Sequence, residues 1–377
     1  MSKDTTVARA GRGVLSPMQS VFQDFTEENL TAVTKLTSKC FGNSLELLLR
    51  KILSNPVRKQ IVPAGCVGFK DGKAVCFKAS IVRRLYLGKT PGFGIAGSSF
   101  CKDPDGCSLP ILFEVMERGE GNQYQSCLSF GNTFINVSAK FYELFGCYPG
   151  TKSWTEMRFG IIHPCRFLWL LIRRKVFHLP QPAPHDAFKL AADEMRAYAV
   201  SGECSVRRVM DFDSRFDAFW SLYLAKNLGL VLSRDRETLE WLFGEDVRSG
   251  KCVLLAAVRD GNELEGFIVL RPMHGSPDRW QIMDMIALEN APERMDLLLR
   301  GARRFLKKET SAITLESTGF PDFIQPVLSK HMPHLQKTGH NRFEWNSNDP
   351  EVVRVIEQTG NTRDSWFFGP FDGDYNL

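Results

Sequence analysis

Hydrophobic and polar residues follow one another along the first 165 residues in blocks that predict helices and strands. A helical period runs over 27–40 and another over 45–53. Two strand-like runs flank Asp71 and Gly72, a dipeptide that favours the tight turn of a hairpin. The later blocks predict, in chain order, a strand at 92–101, a helix at 109–117, a strand at 125–131, a helix at 136–145 and a strand at 153–162.

The stretch 163–205 has a different character. The segment "RFLWLLIRRKVF" at 166–177 predicts a helix, "LPQPAPHD" interrupts it, and a charged helix is predicted to continue to about residue 200. Its unbroken apolar run, 167–172, is far shorter than the ~20 residues that cross a bilayer. Both an interfacial basic helix and a helix packed between domains fit this segment, and the packed helix is favoured.

The same order of elements then begins again. The patterns predict helices at 215–229 and 235–243, strands at 251–259 and 264–271 around "DGNE", a strand at 280–288, a helix at 292–308, a strand at 312–317 and a helix at 320–331. A mostly antiparallel sheet flanked by helices fits each half. We therefore expect an α+β protein with a flexible tail (1–20), an N-terminal domain (21–165), a helical connector (166–205) and a C-terminal domain (206–377).

Composition narrows the class of function. Of the 377 residues, 43% are hydrophobic and the formal net charge is only +5, so no nucleic-acid partner is expected. The ten cysteines contain no Cys-x-x-Cys and the seven histidines show no ligand spacing, so no metal is expected. Thiols in apolar runs and a polar N-terminus predict a cytoplasmic protein without a transmembrane segment. A homodimer is left open.

The segment "SSFCKDPDGCSLPILFEVMERG" at 98–119 places a Pro/Asp/Gly turn between a predicted strand and a predicted helix. N–H groups at a helix start are unpaired and can hold a phosphate. With the order of elements, this turn resembles that of the GNAT N-acyltransferase superfamily, whose fourth strand ends in Gln/Arg-x-x-Gly-x-Gly/Ala. In register stand Asp103, Gly106 and Ser108, and only Gly106 keeps the family's residue.

The resemblance implies that acetyl-CoA or another acyl-CoA binds along the strand end and this loop as a co-substrate. The residues that it assigns to the acyl-CoA are Ser99, Phe100, Cys101, Asp103, Gly106, Cys107, Ser108 and, further along the chain, Asn136. It also implies that a strand N–H near 97–100 polarises the thioester carbonyl. A plain turn between strand and helix is the alternative for this loop.

A second segment, "FGNTFINVSAKFYELFGCYPG" at 130–150, resembles the superfamily's closing strand–helix unit. Phe141, Tyr142, Gly146 and Cys147 fall in register with it. In the family that tyrosine protonates the departing thiolate, and a phenol with a pKa near ~10 suits a thiolate of similar basicity. The resemblance thus implies that Tyr142 is the catalytic acid. A half-buried tyrosine on an amphipathic helix is the alternative.

The corresponding loop of the second half, "IMDMIALENAPERMDLLLRG", has no glycine at the turn, and no tyrosine occupies the matching closing position. We expect this copy to be degenerate for coenzyme A. The whole chain resembles bacterial proteins with two GNAT domains. The supporting segments are "RDRETLEWLF" at 234–243, "ELEGFIVLR" at 263–271 and "WFFGPFDGDYNL" at 366–377. N-myristoyltransferases are more distant tandem GNAT proteins, in which the C-terminal carboxylate is the base. That resemblance would give the Leu377 carboxylate this role, but no other myristoyltransferase motif is visible.

The expected function is transfer of an acyl group, with acetyl favoured, from acyl-CoA to a primary amine of a small molecule or amino sugar by direct attack. Arg84, Tyr86, Asp372 and Asp374 are speculative acceptor-binding residues. Two alternatives stay open: a transferase that uses aminoacyl-tRNA, and a non-catalytic GNAT-like binding protein.

Overall fold

The computed structural model describes residues 20–42, 44–57, 63–119, 128–134, 146–150, 155–176, 196–260, 262–273, 275–337, 342–358 and 366–369. Its strands are β1 (Ser20–Asp24), β2 (Gly65–Lys70), β3 (Lys73–Leu87), β4 (Thr90–Lys102), β5 (Leu128–Phe134), β6 (Tyr148–Pro149), β7 (Glu156–Ile161), β8 (Ala197–Ser201), β9 (Cys204–Val209), β10 (Leu230–Leu232), β11 (Val253–Arg259), β12 (Glu263–Met273), β13 (Ser276–Ala287), β14 (Thr314–Thr318), β15 (His334–Lys337), β16 (Arg342–Asn346) and β17 (Trp366–Phe367).

The helices pack on two mixed sheets. They are α1 (Leu30–Phe41), α2 (Glu46–Leu53), α3 (Leu109–Gly119), α4 (Pro164–Lys175), α5 (Ser214–Lys226), α6 (Arg236–Leu239), α7 (Glu245–Arg248), α8 (Pro292–Glu309), α9 (Gln325–His331) and α10 (Pro350–Glu357), with a π-helical turn at Glu240–Gly244 and 3-10 turns at Glu27–Asn29, Leu288–Asn290 and Asp322–Ile324. This arrangement confirms the α+β class expected from the sequence.

Local signals explain where several of these helices begin and end. The carboxylate of Asp213 accepts the N–H of Arg215 at 2.9 Å at the start of α5, and Asp349 caps α10 in the same way. Gly42 closes α1 with a φ of 75°, a left-handed conformation that glycine adopts at no steric cost. Polar caps and one glycine therefore set these boundaries.

The first sheet has the order β1-β2-β3-β4-β5-β16-β6, with β10 added to β3 and β17 added to β10. The long β3 pairs with β2 near its start and with β10 near its end. Its hairpin with β2 turns at Asp71 and Gly72, as the sequence predicts. The pairs β4–β5 and β10–β17 are parallel, and the other pairs are antiparallel.

The second sheet has the order β15-β7-β14-β13-β12-β11-β9-β8. Only the β13–β14 pair among these described strands is parallel. Its helix α8 packs an apolar face on the sheet, with Leu298, Phe305 and Leu306 fully buried in the second core. The second half thus repeats the hairpin, strand, helix and strand order of the first half.

The two sheets exchange strands. From the first half, β7 enters the second sheet between β14 and β15. From the second half, β16 pairs with β5, and β10 and β17 extend the edge of β3. The proposed domain boundaries remain a prediction, because sheet membership does not follow one division of the sequence.

The predicted charged helix up to residue 200 is wrong over its last residues, because they form strand β8. This strand pairs with β9 in a hairpin. Gly202 takes a φ of 57° in the turn, and Tyr198 and Val206 are buried while Arg207 is exposed. The pairing with β9 and the glycine turn, and not a local helical period, therefore set the conformation of residues 197–201.

Helix α4 has the predicted position, but it leaves large apolar side chains exposed, with Leu168 at 58% and Trp169 at 52%. The described residues thus do not cover this face as the favoured packed helix requires. None of the helices in the described ranges combines the length and apolar character needed to cross a bilayer.

Candidate functional site

The parallel strands β4 and β5 separate after a short contact. They pair only where Gly94–Ala96 faces Leu128–Phe130. Beyond this contact β4 continues to Lys102 beside β3, while β5 continues beside β16. The sheet therefore has a gap between two neighbouring strands at the end where β4 leads into the predicted cofactor loop.

A β-bulge lies at the point where the strands separate. Opposite β3, the register passes from Ser98 facing Ala79 to Cys101 facing Phe77, so β4 carries one extra residue. Ser99 within the bulge has a φ of 48°, a conformation uncommon for a residue with a side chain. A bulge interrupts the regular ladder. It lies within 97–100, where the resemblance implies the strand N–H that polarises the thioester carbonyl, and that role stays a prediction.

The loop 103–108 follows this bulge and is organised around the carboxylate of Asp103. That carboxylate accepts the N–H of Asp105 at 3.1 Å and the ammonium of Lys39 at 2.8 Å. Its backbone carbonyl accepts the N–H of Cys107 at 3.1 Å. The hydrogen bond from Lys39, followed by that from the Asp105 amide, lowers the pKa of Asp103, and the same contact raises the pKa of Lys39. A fixed anion thus already occupies part of the loop.

Helix α3 starts directly after the loop. The N–H of Leu112 donates to the carbonyl of Ser108 at 3.0 Å, which is the first bond of the helix. Pro110 has no N–H, so Leu109 and Ile111 supply the first-turn donors that have no partner within the helix. These two donors lie next to the loop and can serve an anion.

Gly106 fits closely against strand β3. A Cβ at this position would lie 2.8 Å from Cγ1 of Val75, closer than packed atoms approach. Phe100 and Cys107 pack on the same small core, which contains Cys76 and Val75. A hydrogen bond between the thiols of Cys107 and Cys76 lowers the pKa of Cys107. These residues support the loop from beneath.

Cys101 is buried, and its burial raises the pKa of its thiol. Ser98 and Ser99 place their hydroxyl oxygens 3.2 Å apart in the bulge. The structure therefore brings together the predicted residues from Ser99 to Ser108, some as core and others as loop surface.

Arg84 and Tyr86 lie at the other end of β3. Arg84 is nine residues from Val75, roughly 30 Å at the rise of a strand. Its guanidinium pairs with Asp235 and Glu237, each at 2.9 Å. Tyr86 packs edge-on against Trp220 with ring centroids 5.7 Å apart. Their acceptor-binding role stays a prediction. Their described contacts join the first half of the chain to the second half.

Tyr142, Asn136, Asp372 and Asp374 lie outside the described residues, as does the predicted helix 136–145. Their assigned roles therefore stay predictions. Among the described residues, no group of three or more His, Cys, Asp or Glu side chains is arranged to hold a metal ion.

Sequence reasoning missed Lys78, which is fully buried on β3 opposite the bulge. A Cβ on Gly97 would lie 3.2 Å from Cε of Lys78, and a Cβ on Gly119 would lie 2.7 Å from its Cδ. The absence of side chains at these two positions makes room for the lysine. A single lysine inside the apolar run "AVCFKASIV" was the available signal.

The second half repeats the backbone device. β13 and β14 pair where Arg279–Gln281 faces Thr314–Glu316. Opposite β12, strand β13 then carries one extra residue between Ile282 and Asp284, which is again a β-bulge. The following turn contains Glu289 at a φ of 60° and Asn290 at a φ of 48°.

Side chains fill this second bulge. Asp284 forms an ion pair with Arg234 at 3.2 Å, and both side chains are at most 3% exposed. The Arg234 guanidinium also donates to the carbonyl of Leu232 at 2.7 Å and lies 5.3 Å from the ring of Phe367. Near the turn, Tyr223 donates to Asn290 at 3.0 Å. The second copy is thus closed by its own side chains.

No family model matches the chain, and no curated protein matches its sequence. Solved structures match its fold. A GCN5-related N-acetyltransferase from Kribbella flavida superposes with a TM-score of 0.56 at 13% identity, over 89% of this chain and 73% of that one. A probable N-acyltransferase from Enterococcus faecalis V583 gives 0.54 at 11% identity, over 88% and 72%.

The N-myristoyltransferase of Saccharomyces cerevisiae, solved with bound myristoyl-CoA and inhibitors, superposes with a TM-score of 0.51 at 11% identity, over 89% of this chain and 81% of that one. At such identities the likeness concerns the fold. The chain therefore has the fold of the tandem GNAT N-acyltransferases, with two GNAT-like units in one polypeptide.

Proposed function

We propose that the protein is an N-acyltransferase that moves an acyl group, with acetyl favoured, from acyl-CoA to a primary amine of a small molecule or amino sugar. One observation carries the proposal: β4 separates from β5 at a bulge around Ser99 and then leads through loop 103–108 into α3. A gap beside a bulge suits a thioester, and a helix start suits a pyrophosphate. The GNAT fold of the structural neighbours supports the same reaction class.

In this proposal the acyl-CoA lies in the gap with its carbonyl toward a strand N–H near 97–100. Its dipole stabilises the charge that develops on the carbonyl oxygen. The pyrophosphate approaches the N–H groups of Leu109 and Ile111. Lys39, now paired with Asp103, would turn toward the phosphates.

The reaction proceeds by direct attack. The amine nitrogen bonds to the carbonyl carbon, the carbon–sulfur bond breaks, and the electron pair leaves on the coenzyme A sulfur. Tyr142 supplies the proton to that sulfur, and the amine gives up its proton to solvent or to a base. Asn136 belongs to the acyl-CoA site by resemblance. Asp372 and Asp374 remain acceptor candidates, whereas Arg84 is already held by two carboxylates.

The test is thermal unfolding with acyl-CoAs from acetyl to palmitoyl. Ligand at 100 times its Kd should add about 2.7 kcal/mol to the free energy of unfolding. Gly106 is a poor probe, because any side chain there meets Val75. Lys39→Ala is the better variant and should weaken binding severalfold. Lys35→Ala, an exposed lysine on the same helix, is its matched control.

The outcomes separate the candidate functions. A shift that depends on chain length, loss of affinity in Lys39→Ala alone, and release of free coenzyme A with an amine panel support the transferase. Binding without turnover of any amine favours the non-catalytic alternative, which the occupation of the loop by Asp103 also favours. Absence of any shift rejects the acyl-CoA proposal.

A further inference from the structure

Helix α4 and the residue after it carry an exposed apolar stripe. Leu168, Trp169, Ile172 and Val176 are 58%, 52%, 40% and 63% exposed. At the helical rotation these four side chains fall within an arc of about 100° on one side of the helix. The exposed Cys165 lies on the same arc. Four large apolar side chains on one exposed face are unusual for a surface that meets only water.

Basic residues border this stripe. Arg166 and Arg173 lie along one side of it and Lys175 along the other. The Arg173 guanidinium lies 5.2 Å from the centre of the Trp169 ring. Within the described part of the chain, no carboxylate forms an ion pair with either of these arginines. Apolar side chains flanked by cations are typical of a helix that lies in a membrane interface.

An open cavity of about 500 Å³ lies beside the first turn of α4. Its lining includes Pro164 of α4 and a row of cations on α8, namely Arg300, Arg303, Arg304 and Lys307. Arg303 donates to two backbone carbonyls, and Arg300 pairs with Asp296 at 3.0 Å. For Arg304 and Lys307 no carboxylate partner exists among the residues described.

His163 stands in the chain between Ile162 and Pro164, which both line the cavity. It precedes α4, and both Arg166 and Lys307 lie close enough to affect it. Burial, followed by the repulsion of these two cations, lowers the pKa of His163. Arg166 at the flank of the apolar stripe and Lys307 in the cavity therefore both lie near His163.

We propose that α4 and this cavity form one docking surface for an anionic phospholipid bilayer. The apolar stripe enters the interface, and the cavity receives the phosphate headgroup of one lipid. We infer a lipid and not a free phosphate, because a phosphate site alone would not need the four exposed apolar side chains. Anionic lipids match the charge of the flanking residues, and acyl chains match the stripe.

The experiment is co-sedimentation of the full chain with vesicles of phosphatidylcholine, with and without phosphatidylserine. We expect binding only with the anionic lipid and a blue shift of Trp169 fluorescence, which Trp169→Phe should remove. Trp169→Glu should weaken binding about tenfold or more through lost apolar burial. Leu228→Glu, at a leucine that is 69% exposed elsewhere, is the matched control and should leave it unchanged.

The cavity is tested by Lys307→Glu and Lys308→Glu. Both variants change the charge equally, but only Lys307 lines the cavity. Each unit of positive charge near an anionic surface raises the affinity for the membrane roughly fivefold. Because Lys307→Glu changes the charge by two units, it should weaken binding to the vesicles about 25-fold. Lys308→Glu should cost clearly less. An unchanged acyl-CoA thermal shift in these variants shows that the fold and the proposed acyl-CoA site are intact.

Several results would overturn the proposal. One is equal binding to neutral and anionic vesicles. Another is a dimer that Trp169→Glu dissociates, since the stripe would then contact a second copy. A third is a Trp169 that is shielded from aqueous quenchers without lipid, since the chain's own segment 177–195 would then cover it. Binding of inorganic phosphate without any binding to vesicles would leave an anion site and no docking surface.

Discussion

The buried ion pair between Arg234 and Asp284 gives the sharpest stability prediction. Asp284→Asn removes the negative charge and keeps nearly the same shape. The arginine side chain is 1% exposed and would retain its positive charge in the core. Its bond to the carbonyl of Leu232, at 2.7 Å, compensates only part of that charge.

The expected loss is large. Removing one partner of a buried pair costs about 3–5 kcal/mol, because the remaining charge stays desolvated. Glu351→Gln is the control, since it removes a carboxylate from the pair with Arg354, in which both side chains are about 60% exposed. Such exposed pairs contribute about 0–1 kcal/mol. The loss in the free energy of unfolding should therefore be several-fold larger for Asp284→Asn than for Glu351→Gln.

The assay is urea unfolding of the wild type, Asp284→Asn, Arg234→Met and the double variant. We expect the double variant to be more stable than the sum of the single losses, because it leaves no isolated charge. Additive single losses would show that the two groups do not interact energetically. A loss in Asp284→Asn no larger than in Glu351→Gln would refute the reasoning from burial.

Three further predictions follow from other contacts. Asp103→Asn should bind acyl-CoA severalfold more tightly, and more so at low salt, because the substitution removes an anion from the loop and frees Lys39. Titration calorimetry measures this affinity, and equal or weaker binding by the variant would contradict the prediction. Burial lowers the pKa of His331 from 6.5 despite its bond to Asp296, so the unfolded state binds more protons and stability falls as the pH drops below about 6.5. In thermal unfolding measured against pH, His331→Asn should reduce this loss of stability, and the control His334→Asn, at an exposed histidine, should not. A fragment 20–176 should show no near-ultraviolet aromatic signal or cooperative unfolding, because strands of the second half complete its sheet, and a cooperative transition would contradict this.

Much of the fold could be predicted because most elements are encoded locally. The hairpin turn at Asp71 and Gly72, strand β4 and helices α3 and α8 follow from patterns within about 20 residues. The exchange of β7, β10 and β16 could not be read in this way. Their partners lie far away in the sequence: Arg158 of β7, for example, faces Ser317 of β14. No local pattern contains that pairing.

The candidate site shows the same limit. The sequence located the loop and Gly106, because a turn between an apolar strand and an amphipathic helix is a local signal. It could not show that Lys39, 64 residues away, neutralises Asp103. The buried Lys78 was also missed, because its solvent exclusion depends on glycines at 97 and 119 on other elements. The residues that tune the charge of the loop are thus set by tertiary contacts.

The two halves share a β-bulge at the corresponding place and differ in the side chains that lie there. Each has a bulge on the strand that separates from its parallel neighbour. In the second half, Asp284 and Arg234 fill that place, and Phe367 packs over the arginine. In the first half, Ser98 and Ser99 offer small side chains at the bulge, and the buried Lys78 lies opposite it. Side-chain volume and charge, and not backbone topology, therefore distinguish the two copies, and this difference is why we assign the acyl-CoA to the first.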